Sequence, residues 1–256
     1  MDPGIEHAGA GHVNGFLDGI QWIVNPAHWS GVDGVPSRLW EHVQLSVIAL
    51  ILASLIAIPL GLLVGHTRRG TFLTAQFANL GRAVPSFAVL SVTYLVVIKI
   101  SPKLAFGSVP TIAALILLAF PVILINTLVG IQQVDADTIE AARGMGMNGR
   151  QVLMQLEVPM ATPLIMTGLR LAAVLIVATA GLAALVAGGG LGRYVVDGFA
   201  LQETDRVVAG AILIAILAIA TDVLFSFLAK LASPRLRSTD GRKQPPRLIS
   251  VPTKQV

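Results

Sequence analysis

The sequence predicts an all-helical membrane protein with about five spans, and three observations carry that prediction. Of the 256 residues, 54% are apolar or aromatic, only 12% are charged, and mean hydropathy is +0.77, a mix far from that of a soluble domain. Five stretches stay apolar over about 17 to 25 residues, the length that crosses roughly 30 Å of hydrocarbon. Lys and Arg gather at the ends of these stretches, and mostly at the ends on one side.

The first forty residues hold no such stretch. Acids stand in MDPGIEHAGAG where a secretory signal peptide carries Lys or Arg, so no cleavage is expected. Phe16, Ile20, Ile23 and Val24 recur at helical spacing beside Trp22 and Trp29, which predicts a segment lying in the outer interface. A sixth span is the rival reading, interrupted by His28, Asp33, Pro26 and Pro36.

Span one is expected near 45–64 (LSVIALILASLIAIPLGLLV), closed at once by His66, Arg68 and Arg69. An amphipathic stretch with Phe72, Phe77 and Leu80 reads as a short cytoplasmic helix before span two, near 85–100. Lys99 and Lys103 at its outer end are expected to snorkel. Span three lies near 109–131, where Pro121 predicts a kink because it lacks a donor and its ring crowds the preceding turn. Span four lies near 165–187 and span five near 207–231. The tail SPRLRSTDGRKQPPRLISVPTKQV is polar, basic and proline-rich, hence expected to be disordered. The domains are thus 1–40, a membrane domain at 41–232 with its loop at 132–164, and a cytoplasmic tail at 233–256.

Orientation follows from counting basic residues. The loops after spans one and three together with the tail hold about twelve of the 18 Lys and Arg, the other side about five, and Arg170 lies within a span. The N-terminus is expected outside and the C-terminus in the cytoplasm. The net charge of +4 is accounted for by this topology signal, so no nucleic-acid partner is expected.

The loop before span four reads QQVDADTIEAARGMGMNGRQVLMQLEVPMATPLI. Asp137 and Glu140, three apart, form a capping-box pattern that starts a short helix, which Gly144 and Gly146 end. A second helix starts at Asn148, presents Val152, Leu153 and Leu156 on one side, and is expected to stop at Pro159 and Pro163. Helices this short are not stable alone in water, so they must be packed on something, and a partner protein is the natural candidate.

This loop resembles that of ABC importer permeases, which carry Glu-Ala-Ala, three residues, Gly, nine residues, Ile, one residue, Leu-Pro. Here Glu140, Ala141 and Ala142 are followed at that spacing by Gly146, Leu156, Val158 and Pro159. The two departures exchange apolar residues of similar size. The resemblance implies a type I importer fold and a multi-pass protein of a prokaryotic plasma membrane. It also implies that Glu140, Ala141, Ala142, Gly146 and Pro159 form the point where a separate ATPase couples to the spans. Two cytoplasmic ATPase subunits, a second permease copy or paralogue, an extracytoplasmic substrate-binding protein and the lipid bilayer are the implied partners. ATP and Mg²⁺ would be bound by those subunits, with no cofactor in this chain. The segments GRAVPSFAVLSV, DADTIEAARGMGMNGRQVLMQLEVPMATPLIMTGLR and GLAALVAGGGLGRYVVDGF further resemble permeases for glycine betaine, choline and carnitine. An importer of an amino acid or an organic anion is the alternative. A secondary transporter, driven by an ion gradient, would call for more midplane ionisable residues than Asp222 and Arg170.

Those two residues lie within spans at depths that differ by about 6 Å, which predicts a structural Arg170–Asp222 pair. Arg170 snorkelling to the headgroups is the competing reading. Ser86, Phe87, Ser91 and Tyr94 are weak candidates for a substrate pathway, since hydroxyls in spans more often bond to their own helix. Gly188 to Gly192 lacks the Gly-Lys-Ser/Thr of a phosphate loop and reads as a flexible outer loop, with a gate or binding-protein contact as the alternative. No cysteine is present, and His28, His42 and His66 lack ligand spacing, so no metal site is expected. No catalytic constellation is evident, which makes the chain a transport subunit rather than an enzyme.

Overall fold

A computed structural model describes residues 6–186 and 188–232. Within them the chain is helical throughout its regular structure, with α1 (Glu6–Val24), a 3₁₀ turn at Pro26–Trp29, α2 (Val35–Thr67), α3 (Thr71–Ala83), α4 (Ser86–Ile100), α5 (Pro102–Ala105) and α6 (Val109–Gln132). There follow α7 (Ala136–Gly144), α8 (Gly149–Gln151), a π-helical stretch at Val152–Glu157, α9 (Val158–Ala183), α10 (Gly192–Leu201) and α11 (Thr204–Ala232). The tail from 233, expected to be disordered, lies outside the described residues.

Among the described residues, four helices are long and apolar enough to cross a membrane: α2, α6, the continuous 38 residues from Gly149 to Val186, and α11. α3 and α4 are long and apolar enough only as a pair, and they meet at a bend of 94°, the geometry of a broken span or of a re-entrant loop. Pro85 causes the break. It donates no backbone hydrogen bond and holds Val84 in an extended conformation (φ −74°, ψ 130°). α3 therefore reaches further into the bundle than the short cytoplasmic helix expected, since its Gly81 sits against the Pro121 ring halfway along α6. α6 itself continues through Pro121 as one helix.

α2, α6 and α9 build the core. Ala49, Ala53 and Ala57 of α2 meet Leu115, Ala119, Ile123 and Leu124 of α6 and Ala172, Ile176 and Ala180 of α9, all essentially inaccessible. The alanines of α2 recur every four residues and are followed at the same interval by Gly61 and Gly65, a stripe of small side chains that lets the two helices close up. α11 packs on the outer flank of α9, with α1 and α10 against α11, while α4 leans on α6. α1 is not apolar enough to count among the spans.

Pro159 and Pro163 do not interrupt the helix that begins at Gly149, contrary to the sequence expectation. Val158 N–H donates to Leu153 C=O, five residues back. That widened π turn immediately precedes Pro159, where the backbone hydrogen-bond register must already change to accommodate a residue without a donor.

Candidate functional site

The segment 134–157 is a self-contained helical hairpin projecting from the ends of α6 and α9. Its core is Val134, Ile139, Ala142 and Val152, with Met147 and Leu156 packed against them. α7 is capped by Asp135, whose carboxylate accepts from Asp137 N–H at 2.7 Å. The helix thus starts earlier than the Asp137–Glu140 pattern suggested, and Asp137 serves in the first turn. The reciprocal capping box lies instead in α8, where Gln151 N–H donates to Asn148 and the Gln151 side chain accepts from Asn148 N–H.

Gly146 closes α7. Its φ of +88° is in the left-handed region, Met147 N–H donates to Ala142 C=O at 3.1 Å, and Gly146 N–H donates to Arg143 C=O at 2.9 Å. This is a Schellman termination, which needs a residue without a Cβ penalty at that position. The result is a tip that exposes Glu140, Ala141, Met145 and Gly146 together, while Ala142 faces inward. Pro159, at the start of α9, is half-buried at the hairpin's base.

Beyond its apolar packing, α2 makes long-range hydrogen bonds at both ends. At the hairpin end, His66 Nδ1 lies 2.6 Å from Glu157 Oε2. At the far end, Glu41 and His42 hold the glycine-rich segment. Glu41 accepts from Gly190 N–H at 2.8 Å and from Arg38 at 2.9 Å. His42 Nδ1 accepts from Leu191 N–H at 3.3 Å, which leaves the ring hydrogen on Nε2 to donate to Val177 C=O at 3.0 Å. A Cβ at Gly189 would overlap the Glu41 carboxylate, so the segment 188–192 is a fitted insert rather than a free loop. Beside it, Tyr194 donates to Asp33 C=O at 2.6 Å, and burial pushes its phenol up, with Arg38 and Arg206 opposing.

Within the spans, Arg170 and Asp222 form a two-pronged pair, Nε to Oδ1 at 2.6 Å and Nη2 to Oδ2 at 2.7 Å. Both side chains are 40% exposed on the isolated chain, so the pair sits on the flank of the α9–α11 contact. The four pathway candidates divide by face. Ser86 shares the stripe of Leu90 and Thr93, which are buried against the core, while Phe87, Ser91 and Tyr94 lie on the neighbouring stripe, with Phe87 half exposed.

Sequence reasoning did not find Glu157, His66, Glu41 or His42 as contact residues. Each pair joins elements 91 to 149 residues apart, and neither local spacing nor composition encodes such a meeting.

Comparison with known proteins is consistent in kind. Residues 57–238 match the family described as binding-protein-dependent transport system inner membrane component. The chain is 33% identical over 195 residues to the glycine betaine/carnitine/choline transport system permease protein OpuCB of Bacillus subtilis, covering 76% of this chain and 87% of that one. It is 34% identical over 198 residues to the carnitine transport permease protein OpuCB of Listeria monocytogenes, covering 77% and 88%. Among solved structures, a chain of the inward-facing MetNI methionine ABC transporter superposes with a TM-score of 0.68 at 20% identity, covering 76% of this chain and 94% of that one.

Proposed function

The chain belongs to the binding-protein-dependent transport system inner membrane components, and we propose that it carries glycine betaine, choline, carnitine or a related osmoprotectant inward. It is a multi-pass membrane permease of an ABC importer, with the type I importer fold, and a transport component rather than an enzyme. The cargo reading is supported by the names of relatives that are 33% and 34% identical over three quarters of this chain.

The hairpin carries the mechanistic part. Glu140, Ala141, Met145 and Gly146 stand exposed at its tip, on a hairpin too short to hold its shape without its own core. Two ATPase subunits receive this tip and its counterpart on a second permease, identical or paralogous, and a binding protein docks at the opposite end. ATP and Mg²⁺ belong to the ATPase subunits. Closure of those subunits pushes the hairpins together, and the continuous helix from Gly149 to Val186 delivers the displacement to the spans. Ala142 and Pro159 serve by shaping the hairpin and its root, the alanine from within its core.

Uptake of radiolabelled glycine betaine, choline and carnitine into cells lacking other importers of these compounds tests both parts. Glu140→Lys and Gly146→Asp should abolish uptake while the chain still accumulates in the membrane. Normal uptake in both variants would refute the coupling role, and wild-type cells that take up none of the three would refute these three compounds as the cargo.

A further inference from the structure

Among the described residues, Glu157 is the carboxylate that burial isolates most, with a side chain only 4% exposed and one hydrogen-bond partner, His66. A carboxylate in such a place is costly unless paired, and an apolar residue of similar volume would stand there at less cost. Its location gives a reason for its presence. Glu157 is the last residue of the π-helical stretch, the point where the hairpin passes into α9.

A π turn is the weak point of a long helix, because its hydrogen bonds are stretched to the fifth residue and the backbone is widened. A load on the hairpin tip would bend the chain there before it moved α9. α2 reaches the root of the hairpin through His66 and, one turn earlier, through Leu62, which packs with Leu153 and Val158 against Ile131, Ala161 and Ile165. Between the two lies an open cavity of about 560 Å³, bordered by His66, Arg68, Ile139, Glu140, Arg143 and Glu157. Apolar packing does not extend into that gap, and among the described residues the pair is the side-chain hydrogen bond that joins α2 to the hairpin beside it.

We propose that the His66–Glu157 pair is a positioning device that braces the π turn at residues 152–157, so that displacement of the hairpin tip moves α9 and α2 together instead of being absorbed by bending. His66 Nδ1–H donates to the carboxylate, and neither residue touches substrate or nucleotide. The inference rests on the hairpin being the coupling point.

The test uses the whole importer, with its ATPase and binding-protein subunits, reconstituted in liposomes and supplied with whichever of glycine betaine, choline or carnitine the wild type transports. Glu157→Leu and the double variant His66→Leu/Glu157→Leu fill the volume without leaving a buried charge unpaired. Both should co-purify with the ATPase and go on hydrolysing ATP. They should move about tenfold less substrate per ATP, the factor expected from losing one charge-assisted hydrogen bond. Glu157→Gln keeps a neutral hydrogen bond to His66 and should retain clearly more substrate per ATP than the leucine variants, which a purely volume-filling role would not require. Unchanged substrate per ATP in the leucine variants overturns the proposal, as does a glutamine variant no better than leucine. Loss of the ATPase from the leucine complexes also overturns it, because the pair would then belong to the docking surface. Glu140→Lys tests the underlying reading separately: if it transports normally, the coupling point is misplaced whatever the leucine variants do.

Discussion

Arg170 and Asp222 meet through two parallel hydrogen bonds on the flank of α9 and α11. Within a span, either charge alone would be costly at that depth. Arg170→Ala and Asp222→Ala are each expected to lower uptake and the amount of inserted protein, while the exchange Arg170→Asp with Asp222→Arg restores both. Uptake and membrane content measured in parallel decide this, and an exchange variant as poor as the single ones would show that position, rather than pairing, matters. The pair was open to sequence reasoning because two ionisable residues in apolar spans of similar depth have few other partners. Gly146 was open to it for a different reason, since a glycine at a fixed distance after a short helix is a local signal of a left-handed turn. Glu157 was closed to it. It occupies the unspecified position between Leu156 and Val158, and only the fold brings His66 to it from 91 residues away.

At the scale of elements, the small-residue stripe of α2 controls how closely the core closes. A Cβ on Gly61 would lie 2.8 Å from the Thr127 Cβ of α6, closer than side chains approach. Gly61→Leu therefore forces α2 off α6, at a cost of about 1 to 3 kcal/mol or more for overpacking, and should sharply reduce the monodisperse protein recovered in detergent. Leu55→Ala, on a side chain 65% exposed, is the control and should leave recovery unchanged. Recovery of the Gly61→Leu protein at the control level would mean that α2 and α6 are held together by something other than this stripe. Hydropathy located the spans because crossing hydrocarbon demands length and apolarity of every spanning helix. It did not locate the ends of α2, which begins at Val35, ten residues before the apolar run at Leu45, because polar His42 and Glu41 are built into the helix as contacts for the 188–192 segment. The bent pair α3–α4 was likewise read as a short cytoplasmic helix plus a span, since the amphipathic pattern of 72–80 does not reveal that Gly81 abuts Pro121 at mid-length.

For the whole molecule, the two ends are chemically unlike, and orientation decides which end meets ATP. The hairpin end carries Arg68, Arg143 and Arg150 together with Lys230 near the close of α11, whereas the far end carries acids matched to most of its arginines, as in Asp33, Glu41 and Asp197. An excess of Lys and Arg is retained on the cytoplasmic side, which predicts the hairpin inside and Val32 and the α5 turn outside. The absence of native cysteine makes this directly measurable. Single cysteines at Val32, Phe106 and Met145, positions 83%, 80% and 78% exposed, are introduced into the permease expressed without its ATPase and treated with a membrane-impermeant maleimide. Val32→Cys and Phe106→Cys should label in intact cells, and Met145→Cys only after the membrane is opened. The opposite pattern would put the hairpin tip on the side that holds no ATP. In that arrangement no ATPase could reach Glu140, and the coupling role of the hairpin and the brace at its root would fall together.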